Sequence, residues 1–219
     1  MKAPLLLAAL ALAAAAAHAE DIRGSGHAAT EKRAASGIHG VAMSIAGHVE
    51  VSQGGPEGVT VTADDNVLPY LETSVENGVL RVRTRNDTSV SMRTPVRVVV
   101  VAGSIEKLAL SGSGDIVARG IDVPALELRI SGAGDATLSG RAARLDARIS
   151  GSGHVDAVKL AAHDAQVNVS GSGHVALTAR KTLATRITGA GDVEYYGDPA
   201  VERHVTGAGR IRRAGAAPA

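Results

Sequence analysis

The sequence predicts an all-β chain that folds as a parallel β-helix, or β-solenoid, with coils of about 18–20 residues. A short Gly-rich motif recurs six times, and its copies begin at Ser111, Ser131, Ser150, Ser170, Thr188 and Thr206. Apolar and polar residues alternate on both sides of every copy, as they do in a half-buried strand. The 219 residues include 26 Gly but neither Phe nor Trp, so the core must be built from thin layers of small aliphatic side chains.

The pattern of residues 1–19 predicts a secretory signal peptide, which is removed by cleavage and is not part of the folded domain. Lys2 supplies a positive start, Pro4–Ala17 is an almost unbroken apolar run, and Ala17-His18-Ala19 has the small-x-small pattern of a cleavage site before Glu20. The run is too short to cross a bilayer core of ~30 Å comfortably. No later segment is apolar enough to cross one, so we expect no transmembrane segment after cleavage. The chain has no Cys and therefore no lipid attachment at a Cys. We expect an exported protein, periplasmic, extracellular or at the cell surface, that is not a lipoprotein.

The charge of the mature chain argues against a nucleic-acid partner. Without Lys2 the chain carries 22 basic and 22 acidic residues, and its only aromatic residues are Tyr70, Tyr195 and Tyr196. Nucleic-acid-binding proteins concentrate basic residues on one surface. We expect an envelope protein or a polysaccharide as the partner.

The remaining chain divides into three parts. Residues 20–36 show no clear pattern and are expected to form a flexible leader. Residues 37–213 form one solenoid domain, in which 37–103 supply irregular or capping strands and 104–213 supply the regular repeats. The irregular part includes a hairpin turn at Asn77-Gly78 and a degenerate corner at Ala46–Val51. Residues 214–219 are expected to be a disordered tail.

Each repeat is predicted to be a strand, a Gly-rich corner, a second strand and a shorter return. The residue directly before each motif is apolar: Leu110, Ile130, Ile149, Val169, Ile187 and Val205. The residue before that is mostly polar: Ala109, Arg129, Arg148, Asn168, Arg186 and His204. Stacking of the coils at ~4.8 Å would align such positions into columns, and Gly would allow close approach at the corner.

In the last coil Arg203 and Arg213 replace apolar residues. A polar terminal repeat is expected at an open solenoid edge, because such an edge would otherwise pair with other chains. Pairing of solenoid edges into a homo-oligomer is left open.

The chain resembles the bacterial head GIN domain family, a domain of unknown function whose members are labelled auto-transporter adhesins. The resemblance rests on GIHGVAMSIAGHVEVSQG at Gly37–Gly54, on VTADDNVLPYLETSVENGVLRVRT at Val61–Thr84 and on the SGSGD-type corners, so it covers about Gly37 to Arg213. It implies a right-handed β-helix that is secreted and has a cell-envelope or surface role, adhesion among them. It brings no catalytic residues.

The fifth motif residue is where the six copies differ: Asp115, Asp135, His154, His174, Asp192 and Arg210. A calcium ladder is disfavoured, because only half of these side chains offer the oxygen ligands that calcium needs. Zinc is the sharper hypothesis, since His154 and His174 would stack ~4.8 Å apart, flanked by Asp135 and Asp192. The simpler interpretation is that exposed polar residues follow a turn. We therefore predict no metal and no cofactor. If the zinc hypothesis holds instead, the ligands are expected to be His154, His174, Asp135 and Asp192.

No catalytic constellation is predicted. The enzyme alternative is a glycan lyase or hydrolase, which would need paired carboxylates on nearby coils. Asp156 and Glu194 are the acidic candidates, but they lie two coils apart, or ~9–10 Å. The sequence predicts a non-catalytic solenoid with an envelope or surface interaction role. A polysaccharide-active enzyme and a metal-responsive envelope protein are the alternatives.

Overall fold

The computed structural model describes residues 20–85 and 88–218, so the predicted signal peptide lies outside the described residues. The predicted fold class is confirmed: the described chain is a β-solenoid of stacked parallel coils. No helix within 20–85 or 88–218 is long and apolar enough to cross a membrane.

The described residues contain seventeen strands and one short 3-10 helix. The strands are β1 (Glu20–Arg23), β2 (Ala28–Arg33), β3 (Gly40–Met43), β4 (His48–Gln53), β5 (Gly58–Asp64), β6 (Leu71–Glu76), β7 (Val79–Thr84), β8 (Thr88–Ser91), β9 (Arg97–Ala102), β10 (Lys107–Gly112), β11 (Asp115–Gly132), β12 (Asp135–Gly151), β13 (His154–Gly171), β14 (His174–Gly189), β15 (Asp192–Tyr196), β16 (Ala200–Gly207) and β17 (Arg210–Gly215). The 3-10 helix spans Leu68–Tyr70.

The repeats stack in parallel register, and their apolar positions form continuous buried columns. One column follows the corner and is at most 1% exposed: Ile116, Ala136, Val155, Val175 and Val193. Another precedes the corner and is at most 2% exposed: Leu110, Ile130, Ile149, Val169 and Ile187. The unequal repeat lengths are absorbed by register shifts on the return side, for example between Ala118 and Ile121.

The Gly corners bring the backbones of successive coils into close contact. Gly151 has φ = +123°, and its carbonyl accepts a hydrogen bond of 2.9 Å from the N–H of Ser172 in the next coil. A Cβ on Gly151 would lie 2.2 Å from the carbonyl oxygen of Gly132 in the preceding coil. Both the backbone conformation and the space therefore require glycine.

The N-terminal strands close one end of the solenoid. The predicted degenerate corner is confirmed, because the carbonyl of Gly47 accepts the N–H of Asp115 at 2.8 Å and β4 stacks on β11. The predicted hairpin at Asn77-Gly78 is also confirmed, with β6 and β7 antiparallel around it. β5 lies antiparallel to both β9 and β2, so antiparallel strands replace the parallel stacking at this end.

The expected flexible leader at residues 20–36 is wrong. β1 pairs with β8, and β2 is the edge strand beside β5. β2 is almost wholly exposed and has no apolar alternation, which is why its sequence AATEKR gave no strand signal. At the other end β17 continues to Gly215, so the strand enters the segment expected to be a disordered tail.

Asp64 at the end of β5 fixes the N-terminal segment to the domain. Its buried carboxylate accepts N–H groups from Gly26 at 2.9 Å and Arg93 at 2.8 Å, and the hydroxyl of Thr94 at 2.7 Å. Burial raises the pKa of Asp64, but the Thr94 hydroxyl and the N–H groups of Arg93, Thr94 and Gly26 outweigh it and lower the pKa to about 2. The ionised carboxylate is therefore the form that the fold stabilises.

The last coil leaves one end of the solenoid open, and two arginines there oppose the packing of a further coil. Arg203 of β16 and Arg213 of β17 continue buried columns and stack beside Thr185 and Tyr195. The guanidinium of Arg203 donates to the Tyr195 hydroxyl at 3.0 Å, and Arg213 donates to the Gly197 carbonyl at 2.7 Å. Charge in the inward columns makes it costly for another coil to pack on this end.

Replacement of Gly151 by alanine is expected to lower the free energy of unfolding by at least about 1–2 kcal/mol, the cost of a left-handed conformation for an L-residue. Urea denaturation measures the change. Gly103→Ala is the matched control, because a Cβ there has no neighbour within 4 Å. Equal losses at the two positions would contradict the close-approach explanation.

Acidification should destabilise the protein as pH falls from about 4 toward the Asp64 pKa of about 2. Because the pKa of Asp64 is lower in the folded chain, its ionised carboxylate contributes its full stabilisation above the pKa of the unfolded chain, near 3.8. This contribution is lost as the pH falls from there through the folded pKa. Asp64→Asn should unfold more easily at pH 7 and show a smaller acid-dependent loss, as measured by urea midpoints at pH 7 and pH 3. Asp198→Asn, at a side chain that is 93% exposed, should behave like the native chain. If Asp64→Asn lost as much stability in acid as the native chain, protonation of Asp64 would not be the cause of the loss.

The double variant Arg203→Val/Arg213→Val should associate in a concentration-dependent way, because it gives the last coil an apolar, unpaired edge. Light scattering coupled to size-exclusion chromatography measures the mass. Arg210→Val and Arg212→Val together are the control, since these side chains belong to outward columns. Identical masses for both variants would show that the inward arginines do not block the edge.

Candidate functional site

The variable fifth motif residues form one outward column after the corner. The register aligns His48, Asp115, Asp135, His154, His174, Asp192 and Arg210, one residue per coil. The sequence alone leaves the position of His48 open, and the structure places it in this column between Asp115 and Arg97 of β9. The column is therefore longer than the six repeats indicate.

The two histidines in this column stack on each other and do not converge. The rings of His154 and His174 have centroids 5.0 Å apart and planes inclined by 3°. A zinc ion bound to both rings would need nitrogens no more than about 4 Å apart, since each Zn–N bond is about 2.0–2.1 Å. The nitrogen lone pairs lie in the ring planes, and since these planes are almost parallel, the lone pairs do not converge on one point between the rings.

The neighbouring carboxylates cap the backbone of the next coil. Asp135 accepts the N–H of His154 at 3.0 Å, and Asp192 accepts the N–H of Arg210 at 3.1 Å. Within 20–85 and 88–218, no group of three or more His, Asp or Glu side chains is placed to hold a metal ion. The structure thus brings the four zinc candidates into one column but not around one point.

The acidic pair considered for glycan chemistry is also held by other contacts. Asp156 and Glu194 lie in one column, separated by Ala176 in the coil between them. Asp156 accepts the N–H of Val158 at 3.1 Å, and Glu194 forms an ion pair with Arg212. Each carboxylate therefore stabilises its own part of the scaffold.

A groove of about 470 Å³ lies on the face that precedes the corner, and sequence reasoning did not assign it a role. It crosses β10, β11, β12, β13 and β14. One wall is a column of hydroxyls: Ser111, Ser131, Ser150, Ser170 and Thr188. The other wall is a mostly basic column: Ala109, Arg129, Arg148, Asn168 and Arg186.

The floor between the walls is strand backbone. The side chains of Leu110, Ile130, Ile149 and Val169 point into the core and are at most 2% exposed, although these residues line the groove. The only sequence signal of this surface was the polar residue before each apolar one, which indicated a strand but no site.

Two carboxylates in the adjacent column partly neutralise the basic wall. Glu127 pairs with Arg129, with Lys107 at 3.5 Å and with Arg148 at 3.5 Å, and Asp146 pairs with Arg148 at 2.7 Å. Partial burial raises the pKa of Glu127, but hydrogen bonding and the positive charges of Arg129 and Lys107 outweigh it and hold the pKa below its ordinary value. Glu127 is therefore ionised at neutral pH.

Arg186 differs from the other two arginines. Two positions before Arg186 on the same strand is Ala184. The equivalent positions are Glu127, Asp146 and Gln166 in the preceding coils and Glu202 in the following one. Arg186 is exposed and has no ion-pair partner in the described part of the chain. Its guanidinium is available to an anionic group of a ligand.

A larger depression of about 660 Å³ lies over the return segments, and its charged or titratable lining residues are Asp122, Arg141, His163 and Arg180. Its acidic group, Asp122, binds the guanidinium of Arg141 through two hydrogen bonds of 2.7 and 2.6 Å. This bidentate contact lowers the pKa of Asp122, chiefly through the hydrogen bond from Arg141. The groove before the corner is the better candidate site, because it repeats three arginines and five hydroxyls in regular columns and its lining has no Asp or Glu.

Comparison with known proteins identifies relatives of the same architecture. A family model described as "Putative auto-transporter adhesin, head GIN domain" matches residues 39–199. A "putative adhesin" from Bacteroides fragilis has a TM-score of 0.72 at 17% identity, and the match covers 88% of this chain and 99% of that one. No curated protein matches the chain.

Two further solved structures give TM-scores of 0.58. A "putative lipid binding protein" from Parabacteroides distasonis is 21% identical, and the match covers 89% of this chain and 99% of that one. A "putative adhesin" from Parabacteroides merdae is 18% identical with the same coverage. At these identities the likeness shows the fold alone.

Proposed function

Because the chain belongs to the head GIN domain family, whose model matches residues 39–199, we propose that it is an exported, non-catalytic binding domain that mediates adhesion at the bacterial cell envelope or surface. The observation that carries this proposal is the groove across β10–β14. The adhesin labels of the family and of its structural neighbours support the same role. The partner is an envelope protein or a polysaccharide.

The solenoid suits this role because it is a stiff scaffold that repeats one surface. Every coil offers the groove one hydroxyl and, at three positions, one guanidinium. A partner with its own repeating structure can make the same contact at several coils at once. Several weak contacts on one rigid surface then give useful affinity without a deep pocket.

Export is tested on the full chain carrying a C-terminal epitope tag in a Gram-negative host. We expect the tagged chain in the envelope or medium fractions, with an N-terminus at Glu20, because residues 1–19 have the pattern of a signal peptide. Leu6→Arg/Leu7→Arg interrupts the apolar run and should retain the uncleaved chain in the cytoplasm. A native chain that stays cytoplasmic with its N-terminus intact would overturn the proposed location.

Adhesion is tested with beads coated with the full-length chain after export. The beads should retain bacterial envelope preparations, and beads coated with the heat-unfolded chain should not. Retention is measured as bound envelope material per bead. An exported native chain whose beads retain no more material than the unfolded control would show that the adhesive role is wrong.

A further inference from the structure

We propose that the groove across β10–β14 binds a linear acidic polysaccharide, with its carboxylates held by Arg129, Arg148 and Arg186 and its ring hydroxyls held by the Ser/Thr column. This inference rests on the proposed function, and it names the class of ligand that the binding face takes. It is carried by three properties of the groove: its shape, its charge and the chemistry of its walls.

The shape of the groove favours an extended chain as the ligand. The groove is open and crosses five strands, which at ~4.8 Å between strands corresponds to roughly 19 Å. A monosaccharide would contact only one or two coils. A sugar ring in an extended polysaccharide advances by a length close to one coil spacing, so successive rings can meet equivalent side chains.

The charge of the groove favours carboxylates on that chain. The groove lining contains Arg129, Arg148 and Arg186 and contains no Asp or Glu. Glu127 and Asp146 lie outside it and hold Arg129 and Arg148 in place through ion pairs. A guanidinium binds a carboxylate through two parallel hydrogen bonds, which gives orientation as well as attraction.

The hydroxyl wall distinguishes a polysaccharide from other anionic polymers. Ser131, Ser150 and Ser170 can both donate and accept hydrogen bonds, as sugar hydroxyls do. The groove lining has no aromatic side chain on which nucleic-acid bases could stack. An acidic peptide would leave its backbone groups opposite side-chain hydroxyls without the regular strand pairing that peptide recognition commonly uses.

Arg186 gives the cleanest test because its side chain makes no ion pair among the described residues, so its loss leaves the scaffold contacts intact. The test variant is Arg186→Gln. The matched control is Arg119→Gln, which removes another exposed arginine that lies after the corner, beside Ser52. Thermal unfolding of both variants establishes that they are folded like the native chain.

The probes are a galacturonic acid hexamer, the same hexamer with its carboxylates reduced to alcohols, and phosphatidylglycerol vesicles. Calorimetry on the exported full-length chain measures the affinity for each. We expect binding of the acidic hexamer, at least tenfold weaker binding of the reduced hexamer, and roughly tenfold weaker binding of the acidic hexamer by Arg186→Gln, the loss expected for one charge-assisted contact. Arg119→Gln should bind like the native chain.

A second variant, Arg148→Gln/Arg186→Gln, should bind the acidic hexamer more weakly than Arg186→Gln does. Equal affinity for the acidic and reduced hexamers, or unchanged affinity in both arginine variants, would overturn the proposal. Binding to the vesicles without binding to the acidic hexamer would assign the groove to a lipid surface and would also overturn it.

The bead assay separates this inference from the proposed function. Beads that retain envelope material while the native chain does not bind the acidic hexamer would refute the ligand class and leave the adhesive role in place. If the beads retain no envelope material but the chain binds the acidic hexamer through Arg186, the ligand class is supported and the adhesive role is refuted.

Discussion

The close backbone contact at the Gly corners is the constraint on which the rest of the structure depends. Along one line of the solenoid, the carbonyls of Gly112, Gly132, Gly151, Gly171 and Gly189 each accept an N–H from the next coil at 2.9–3.0 Å. No Cβ fits in that contact, since one on Gly132, Gly151, Gly171, Gly189 or Gly207 would lie 2.2–2.5 Å from the carbonyl oxygen of the preceding coil. The corner therefore fixes the register of every coil on the one before it.

A fixed register turns single residues into columns, and columns of like charge must be compensated. Arginines repeated at ~4.8 Å would repel one another unless acidic groups lie nearby. The chain supplies these groups in the adjacent column, where Glu127 contacts Lys107, Arg129 and Arg148. The ion pairs of this column end at Asp146. Arg186 has Ala184 on its own strand and Glu202 in the next coil, and it makes no ion pair among the described residues. The charge that a ligand can use is thus set by where the structural ion pairs stop.

The regular repeats could be predicted from the sequence because all six copies have the same apolar alternation around the same Gly-rich corner. The N-terminal segment could not, because β2 is polar and is held by pairing with β5 and by the contact of Gly26 with Asp64, a residue 38 positions away. The column after the corner was predicted, including the stacking of His154 on His174. The column of Arg129, Arg148 and Arg186 was also aligned from the sequence, but it was not assigned as a site, because alternating polar residues indicate only a strand and do not show that two columns enclose a groove.

The two ends of the solenoid show how a repeating fold remains a finite one. At the N-terminal end, antiparallel pairing of β5 and β6 interrupts the parallel stacking. At the C-terminal end the strands remain parallel, and Arg203 and Arg213 occupy inward positions where another coil would need apolar contacts. Both arginines are held at this end of the solenoid, Arg203 by the Tyr195 hydroxyl and Arg213 by the Gly197 carbonyl of the coil beneath it. Because the ends are blocked by the backbone at one side and by charge at the other, the outward columns along the side of the solenoid are left as the surface on which binding can develop.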